Sequence, residues 1–567
     1  MHKDSIHMKK YLFWIISGVI TAWLAYTFLI HPNLNLLKIT LFPSGTFDIK
    51  PVFNILKSER VRQALFNSFL LGILVAITTN ILGIFQILVL DFFDIKGRKL
   101  LNVLYYLPLI INGMVLVMAY NFNIGTNGLI TTWLQNFIPN LPDDWFIGLP
   151  AVLFQFTFSN TMYYITFVRD SFRRIDYQTV EAARNMGAST RSILFKVVLP
   201  TLIPSILAAT ILNFNSAVGA FASPKVLGGD KFETINPLVY TFAQSNTTKN
   251  YAVILSVFLG IATLIVLGIF SYVESRRNIV SVSKTKTKIQ RQKITNPFTN
   301  AIVTILAHLI AIIQLFPAVM VIILSFTSYE NMLNGNINPS NFTLENYKLA
   351  FSSSQGLQPV LVSAIYSILG TVIVIALILI FARWITKYNN KLTKFLEGVL
   401  LIPWFLPATL IALGFLFTFN TPQLLVFNKV LTGSLFILLF GYVVIQLPSN
   451  LRIIKAAYLG VDNTLEDASK NLGAGSFSTY MKVIFPLMIP TVLSAALLAF
   501  NGLFSEFDMS VFLFHPLYRP LGVVINQATN AEASPSNVML SFVYAVLIII
   551  VSTIATYLVY GRRSKIK

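Results

Sequence analysis

The chain contains the stretch Glu181-Ala182-Ala183-Arg184-Asn185-Met186-Gly187-Ala188 and, 286 residues later, the related stretch Asp467-Ala468-Ser469-Lys470-Asn471-Leu472-Gly473-Ala474. In both copies a proline follows the glycine after 13 residues, at Pro200 and at Pro486. The same polar loop therefore occurs twice, and the identical spacing indicates an internal repeat rather than a chance match of a short motif.

The sequence around the two copies is strongly apolar. Hydrophobic residues make up 55% of the 567 residues, charged residues only 11%, and the mean hydropathy is +0.71. A soluble domain has about 25% charged residues, so this composition predicts a chain that lies in a bilayer. Cysteine is absent, which excludes disulfides and thiolate metal sites.

The charge balance is basic, with 42 Lys and Arg against 22 Asp and Glu and a formal net charge of +20. Such an excess is typical either of nucleic-acid binding or of membrane topology. Most of the basic residues fall in segments that the spans proposed below assign to the cytoplasm. This distribution follows the positive-inside rule, so we expect a lipid bilayer and no nucleic acid as partner.

Apolar windows long enough to cross a bilayer recur along the whole chain. A crossing takes about 20 helical residues, and the windows predict an all-α polytopic membrane protein with about 12 transmembrane helices in two six-helix halves. The first window follows Lys3, Lys9 and Lys10; it is long for a signal peptide and predicts a retained first helix. The windows lie near residues 11–30, 64–90, 100–120, 146–168, 198–222, 251–273, 301–327, 361–383, 397–420, 435–451, 486–511 and 538–560.

An even number of spans places both termini on one side, and the basic residues at both ends predict the cytoplasm for the termini and for both loops. Six spans separate equivalent points, so the halves are predicted to be parallel repeats. The linker between them is rich in Lys, Arg, Ser and Thr and is predicted to be flexible. The predicted organisation is a first transmembrane helix with an extracellular loop (1–63), a first transmembrane copy (64–273), a basic cytoplasmic linker (274–300), a seventh transmembrane helix with an extracellular loop (301–360), a second copy (361–560) and a basic cytoplasmic tail (561–567).

The repeated loop is predicted to form a short helix, a glycine break and a second short amphipathic run that lie against the membrane. Small side chains at Ala182 and Ala183 allow another surface to approach closely, and Gly187 supplies a bend that a β-carbon would hinder. This shape suits insertion into a cleft of a partner protein. An ordinary connection between two spans is the alternative, and the presence of two equally spaced copies counts against it.

The motif Glu181-Ala182-Ala183 followed by Gly187 resembles the EAA loop of the permeases of type I ABC importers, and the resemblance covers about 64–273 and 361–560. It implies the type I ABC importer transmembrane fold in a bacterial cell membrane. It also implies that each loop is a coupling helix docked on one ABC ATPase subunit. The expected partners are thus two ATPase copies and an extracytoplasmic substrate-binding protein. The implied coupling residues are Glu181, Ala182, Ala183, Gly187, Ala188, Asp467, Ala468, Ser469, Gly473 and Ala474.

The second copy departs from the motif, since Asp467-Ala468-Ser469 replaces Glu-Ala-Ala, with Glu466 beside it as a substitute acid. We therefore expect two docking contacts of unequal strength. The chain has no G-x-x-x-x-G-K-[ST] phosphate loop, so ATP is expected to be used by the partner and no cofactor to be bound by this chain. With no cysteine and only five scattered histidines, the sequence predicts no catalytic residue, no metal site and no enzyme activity.

Polar side chains inside the spans are costly in a bilayer and are therefore candidates for a solute pathway. Asn215 and Asn501 occupy equivalent positions of the two halves, where they either line a pore or hydrogen-bond neighbouring helices. Glu506 and Asp508 lie far along the eleventh window, and only the second half carries them. These acids suit a cationic solute; the alternative is that they are solvated charges at the outer end of a helix.

The fourth window is too polar to face lipid on every side, so one side of it must face protein or water. Its polar residues are Gln155, Thr157, Ser159, Asn160, Tyr163 and Tyr164.

Fusion of both halves in one chain resembles the importers of ferric iron, thiamine and related cations. The expected function is therefore import of a small cationic solute, with ferric iron favoured and thiamine or a polyamine as alternatives. A secondary transporter of the major facilitator type, driven by an ion gradient, is the second class, since it also has twelve spans in two parallel halves. The stretch Asp94-Ile95-Lys96-Gly97-Arg98-Lys99 resembles part of that family's basic loop but lacks its preceding glycine and the arginine after the aspartate, and an ordinary basic cytoplasmic loop is the alternative.

Overall fold

A computed structural model of the chain describes residues 19, 22–42, 45–111, 113–126, 128–173, 175–275, 291–352, 354–388, 390–530 and 532–560. Within these ranges the regular structure is helical and contains no β-strand. The prediction of an all-α polytopic fold is confirmed. The predicted cytoplasmic tail and half of the first apolar window lie outside the described residues.

The helices fall into two series, one on each side of the linker. The first series is α1 His31–Leu41, α2 Lys50–Leu56, α3 Glu59–Ile87, α4 Arg98–Leu104, α5 Leu107–Ile110, α6 Met114–Ile124, α7 Leu129–Gln135, α8 Leu149–Ser159, α9 Arg169–Phe172, α10 Tyr177–Asn185, α11 Thr190–Ile193, α12 Leu199–Val218, α13 Ile235–Ala243 and α14 Lys249–Ser275. The second series is α15 Pro297–Ser325, α16 Tyr329–Leu333, α17 Glu345–Ser352, α18 Ser354–Tyr388, α19 Lys391–Phe405, α20 Ala408–Phe419, α21 Leu435–Leu459, α22 Asn463–Asn471, α23 Ser476–Thr479, α24 Phe485–Phe504, α25 Ser510–Leu513, α26 Leu521–Gln527 and α27 Pro535–Tyr560. Short π-helical segments continue several of these at Ala25–Ile30, Leu88–Phe92, Tyr164–Val168, Leu194–Val198, Pro224–Gly228 and Tyr480–Ile484, and single 3-10 turns occur at Gly229–Lys231, Pro339–Asn341 and Leu424–Val426.

Local sequence explains where the long helices begin and break. Helix α15 starts at Pro297, which fits the first turn because it needs no amide donor there, and the Asn296 side chain caps it by accepting from Phe298 N–H at 2.9 Å. Asn390 and Thr393 form a capping box at the start of α19. After α19, the extended residues Leu406 and Pro407 break the helix before α20 begins.

Eight helices within the described ranges are long and apolar enough to cross a membrane, and the number rises to ten if each of two bent pairs counts as one span. The bent pairs are α4–α5 with α6–α7, at 105°, and α19 with α20, at 106°. The sequence predicts twelve spans. The fourth window differs because the helix breaks at the polar residues Asn160 and Thr161, and half of the first window lies outside the described residues. The eight spans are Glu59–Phe92, Thr190–Val218, Lys249–Val266, Pro297–Ser325, Gly356–Tyr388, Leu435–Leu459, Ser476–Phe504 and Pro535–Val559.

Equivalent hydrogen bonds identify the two halves as structural repeats. Ser68 Oγ accepts from Ile235 N–H at 2.9 Å, and Ser363 Oγ accepts from Leu521 N–H at 2.8 Å. The two N–H donors, Ile235 and Leu521, are separated by the loop spacing of 286 residues, whereas the two serines are 295 residues apart. Helices α10 to α14 also recur at the loop spacing as α22 to α24, α26 and α27. The predicted internal repeat is therefore present in three dimensions.

The first helix of each half packs against the other half. In the first half, Asn35 Nδ2 of α1 donates to Thr418 Oγ1 of α20 at 3.0 Å. In the second half, α15 receives a hydrogen bond from Tyr105 Oη at the Ala307 carbonyl, 2.9 Å, and Gln314 Nε2 of α15 donates to the Phe158 carbonyl at 2.9 Å. The two halves are therefore interlocked.

The linker between the halves is shorter than predicted and its end is ordered. Helix α14 continues to Ser275, residues 276–290 lie outside the described residues, and α15 begins at Pro297. Gln292 forms a parallel bridge with Phe93, in which Gln292 N–H donates to the Phe92 carbonyl at 2.8 Å. The C-terminal end of the predicted linker is therefore paired with the segment that follows α3.

Candidate functional site

The first repeated loop consists of α10, a glycine turn and α11. Asp176 caps α10 by accepting from Gln178 N–H at 3.0 Å, and the helix ends at Gly187, whose φ is +82°. Nothing lies within 4 Å of the place where a Gly187 β-carbon would be. Glycine is therefore required here by the left-handed backbone and not by lack of space.

The second repeated loop has the same construction. Asp462 caps α22 by accepting from Thr464 N–H at 2.9 Å, and this hydrogen bond lowers the pKa of the Asp462 carboxyl. Gly473 ends the helix with a φ of +84°, again with open space around it. The two loop helices thus share cap, length and turn.

Each loop helix has an exposed face that the sequence predicts as the docking face. Glu181 and Ala182 are exposed in the first loop, as are Asp467 and Ala468 in the second. The two glycines of the loops are exposed as well. The remaining predicted coupling residues are half-buried: Ala183, Ala188, Ser469 and Ala474.

A large apolar side chain protrudes beside each left-handed glycine. Met186 is 81% exposed and Leu472, its equivalent, is 88% exposed. Sequence reasoning gave these two residues no role, although both stand at the same place in the repeated motif. We call them the apolar knobs.

Glu466 does not belong to the exposed face, contrary to its interpretation as a substitute docking acid. Its carboxylate is only 14% exposed and pairs with Arg383, Lys387 and Lys470. Burial alone would raise its pKa, but the hydrogen bonds from Arg383 and Lys470 and the nearby positive charges lower the pKa of Glu466 to about 2. The side chain therefore faces the membrane helices.

An internal cavity lies at the far end of the helices that leave the two loops. Helices α12 and α24 each have 20 residues, which corresponds to about 30 Å. Past their ends lies a cavity of about 240 Å³. Its lining comes mainly from the first half, with one segment of the second: Pro108, Gly113, Met114, Val117, Gln155, Phe156, Ser159, Asn160, Met162, Ser216, Ala220, Phe221, Ala222, Ser223, Gly502, Ser505, Glu506, Phe507 and Asp508.

The two predicted acids both line this cavity, and they differ in how they are bonded. Glu506 accepts from Met509 N–H at 2.7 Å and from Ser510 N–H at 3.0 Å, so it caps the short helix α25. Asp508 accepts one hydrogen bond from the described residues, from Ala222 N–H of the other half at 3.3 Å. Asp508 therefore has more free acceptor capacity for a solute than Glu506.

The two predicted amides lie beside the cavity and not in its lining. Asn215 Nδ2 donates to the Trp404 carbonyl of the other half at 2.8 Å, which is the interhelical bond that the sequence left as an alternative. Asn501 is buried. Their neighbours Ser216 and Gly502, themselves equivalent, are the lining residues.

The fourth window turns its polar side toward this cavity. Gln155, Ser159 and Asn160 line it, and the Gln155 carbonyl oxygen and the Asn160 amide nitrogen are buried without a hydrogen-bond partner among the described residues. Ser223 Oγ is in the same state. Buried polar atoms normally have partners, so these groups are available to a solute or to water.

The second half differs from the first at two positions that line this cavity. Ser223 is replaced by Met509 at the equivalent position, and Gln155 by Gly441. A β-carbon on Gly441 would lie 2.5 Å from Met509 Sδ, so the methionine occupies the equivalent space. In the described residues no group of three His, Cys, Asp or Glu side chains forms a metal cluster.

Comparison with known proteins identifies the family. The family model of the binding-protein-dependent transport system inner membrane component matches residues 7–277 and 375–564. The chain is 34% identical to the probable ABC transporter permease protein y4fN of Sinorhizobium fredii over 99% of its own length and 98% of that protein.

Two more distant relatives carry names that state a solute. A putative ferric transport system permease protein, FbpB 1, of Haemophilus influenzae is 22% identical over 88% of this chain and 78% of its own length. The spermidine/putrescine transport system permease protein PotB of Haemophilus influenzae is 25% identical over 46% of this chain and 93% of its own length. These matches select the importer permease over the major facilitator alternative.

The two matched stretches each contain one repeated loop, the helix that leaves it and its share of the interlocked bundle. The chain belongs to the family of binding-protein-dependent transport system inner membrane components, and it is a multi-pass permease of an ABC transporter in a cell membrane.

Proposed function

We propose that this chain forms the translocation pathway of a bacterial importer for a small cationic solute, and that each loop helix holds one ATPase subunit on the cytoplasmic side. The observation that carries the proposal is the matched pair of loop helices. Both have the same aspartate cap, the same left-handed glycine and the same exposed apolar knob. Two loop helices of the same construction in one chain support the docking of two copies of one partner.

The cavity supports a cationic solute. Two carboxylates line it, and none of the described lining residues is basic. Its other polar groups are amides and hydroxyls, and oxygen-rich surroundings suit hard cations. Ferric iron is favoured, and thiamine or a polyamine is the alternative; the names of the two Haemophilus relatives concern ferric iron and polyamines.

The position of the cavity supports delivery from outside. It lies about 30 Å along α12 and α24 from the loops, so it is close to the side where an extracytoplasmic binding protein would release the solute. With the loops in the cytoplasm, both chain termini are cytoplasmic as well.

The test is reconstitution of the chain in proteoliposomes with its ATPase and binding protein. Uptake should require ATP hydrolysis, persist when proton and sodium gradients are collapsed, and saturate with radiolabelled ferric iron, with thiamine and spermidine competing weakly. Asp508→Asn should reduce uptake at least tenfold while ATPase subunits still bind. Uptake that needs an ion gradient and no ATPase would overturn the proposal.

A further inference from the structure

The two repeats attach their loop helices to the membrane helices by different chemistry. In the first repeat the contact residue is Val180 of α10, which is 1% exposed and lies in an apolar cluster with Phe92 and Phe172. The equivalent residue in α22 is Glu466. A buried valine and a paired carboxylate therefore occupy the same position of the loop helix in the two halves.

The partners of this residue have changed together with it. The Glu466 carboxylate pairs with Arg383 Nη2, and its Oε1 lies 3.2 Å from Lys387 Nζ and 3.0 Å from Lys470 Nζ. Arg383 and Lys387 belong to α18, so two of the three ion pairs join the loop helix to a membrane-spanning helix.

Five equivalent positions are apolar in the first repeat and polar in the second. At the spacings of 295 and 286 residues established above, the pairs are Leu88 and Arg383, Phe92 and Lys387, Phe172 and Tyr458, Val180 and Glu466, and Leu194 and Tyr480. The five apolar residues all lie in one cluster.

The five polar residues are also in contact with one another. The Arg383 guanidinium lies 5.8 Å from the Tyr458 ring, and the Tyr458 and Tyr480 hydroxyls are 2.8 Å apart. The contact between loop helix and membrane helices is therefore packed with apolar side chains in the first half and with charged groups and hydroxyls in the second.

We propose that Glu466 is the positioning residue of the second loop, an ionic pivot that transmits motion between α22 and α18, and that the first loop uses an apolar pivot at Val180. The part of this proposal that concerns transmitted motion rests on the function proposed above. Ion pairs with partly exposed partners are weakened by salt, whereas apolar contacts are not. The second loop should therefore lose its attachment as ionic strength rises, and the first should keep it.

Hydrogen–deuterium exchange on the full chain in nanodiscs, without any ATPase, tests the pivot directly. Raising KCl from 50 mM to 1 M, about a fourfold to fivefold reduction of the Debye length, should speed exchange in α22 severalfold and leave α10 unchanged. Glu466→Gln should speed exchange in α22 at low salt by a similar factor. The matched control is Glu397→Gln, which removes another ion pair of the same half, with Lys455 at 2.5 Å, that includes no residue of α22.

A second variant, called the graft, transfers apolar contact residues of the first repeat into the second half. It keeps the test decisive if Glu466→Gln folds poorly. The triple variant Arg383→Leu, Lys387→Phe and Glu466→Val copies the residues of the first repeat. It should restore slow exchange in α22 and remove its salt dependence. If exchange in α22 responds neither to salt nor to Glu466→Gln, the ionic pivot is overturned. Exchange that remains salt-sensitive in the graft would overturn it as well.

The assembled transporter separates this inference from the proposed function. With ATPase subunits bound, Glu466→Gln should lower solute transported per ATP severalfold, and the graft should recover it. If no ATPase binds the chain at all, the proposed function fails while the exchange result still decides the pivot. If ATPase binds and drives transport but Glu466→Gln transports as well per ATP as Glu397→Gln, the pivot fails alone.

Discussion

Phe221 and Phe507 stack on each other across the two halves, with ring centroids 5.4 Å apart and an angle of 21° between the rings. They are equivalent residues of the two repeats. Two equivalent residues can touch only on the axis that relates their repeats, so this stack marks the axis. Both rings line the cavity, at the end of the molecule remote from the loops.

Opening this stack should make the permease leak. Replacing both Phe221 and Phe507 by alanine removes the only stacked pair described between equivalent residues of the two halves. We expect solute efflux from loaded proteoliposomes without ATP, at a rate well above that of the unmodified protein. Phe500→Ala, which breaks the stack of Phe500 with Phe504 within one half at 5.3 Å, is the control and should not leak. Tight vesicles with the double variant would contradict a closing role.

The two left-handed glycines should be sensitive to side chains despite their open surroundings. Forcing a non-glycine residue to φ near +82° or +84° costs about 1–2 kcal/mol, and aspartate adds a charge at the docking face. Gly187→Asp or Gly473→Asp should therefore abolish ATPase co-purification or uncouple hydrolysis from transport. Asparagine has the size of aspartate and tolerates this backbone region about equally, so Gly187→Asn and Gly473→Asn isolate the charge and should retain more of the binding. Equal loss in the Asp and Asn variants would exclude the charge as the cause.

The apolar knobs should supply much of the docking affinity. Burying a Met or Leu side chain is worth about 1.5–3 kcal/mol, which is about a tenfold to hundredfold change in Kd. Met186→Ser and Leu472→Ser should each weaken ATPase binding by such a factor, with normal thermal stability because neither side chain packs in the chain. Leu424→Ser is the matched control, since Leu424 is equally exposed on the connection between α20 and α21. Binding that is unchanged in both knob variants would exclude them from the docking contact.

The cavity should close when its counterpart's methionine is introduced. Ser223→Met places in the first half the side chain that fills the second. We expect uptake to fall more than tenfold while ATPase binding is retained, and Ser223→Ala to transport nearly normally. Full transport by Ser223→Met would show that solute passes elsewhere.

The ionic pivot should depend on pH only under acid conditions. The pKa of Glu466 is lowered to about 2 from an ordinary value of 4.5, so its stabilising effect is complete above 4.5 and is lost as pH falls toward 2. The groups around it are Arg383, Lys387 and Lys470, the Tyr458 and Tyr480 hydroxyls and, beside Lys470, Asp467. Exchange in α22, corrected for intrinsic rates, should be constant from pH 8 to about pH 5 and rise below about pH 3, and Glu466→Gln should lack this rise.

Sequence patterns predicted the loops well because their construction is local. In each copy the short helix, the glycine turn and the proline 13 residues after the glycine all lie within one short segment, and the glycine has a direct backbone consequence. The acids Glu506 and Asp508 were also recognised, since charge inside an apolar segment needs a reason.

The remaining features depend on contacts between distant segments. The local sequence suggests Glu466 as a docking acid because its ion-pair partner is not nearby in the chain. That partner is Arg383, which lies 83 residues away. The one-sided cavity depends on Met509 packing against Gly441 of another helix, which no local pattern reveals. Tertiary packing, not local propensity, fixes both.

The exchange of α1 and α15 between the halves sets an order of assembly during synthesis. The surface that α15 covers on the first half, around Tyr105 and Phe158, stays uncovered until residues 297–325 have been made and inserted. Likewise α1 is made first, but its hydrogen-bond partner Thr418 is made only with the second half. Each half covers part of the other, so a ribosome that stalls within the linker would leave a half-protein with two uncovered faces in the bilayer.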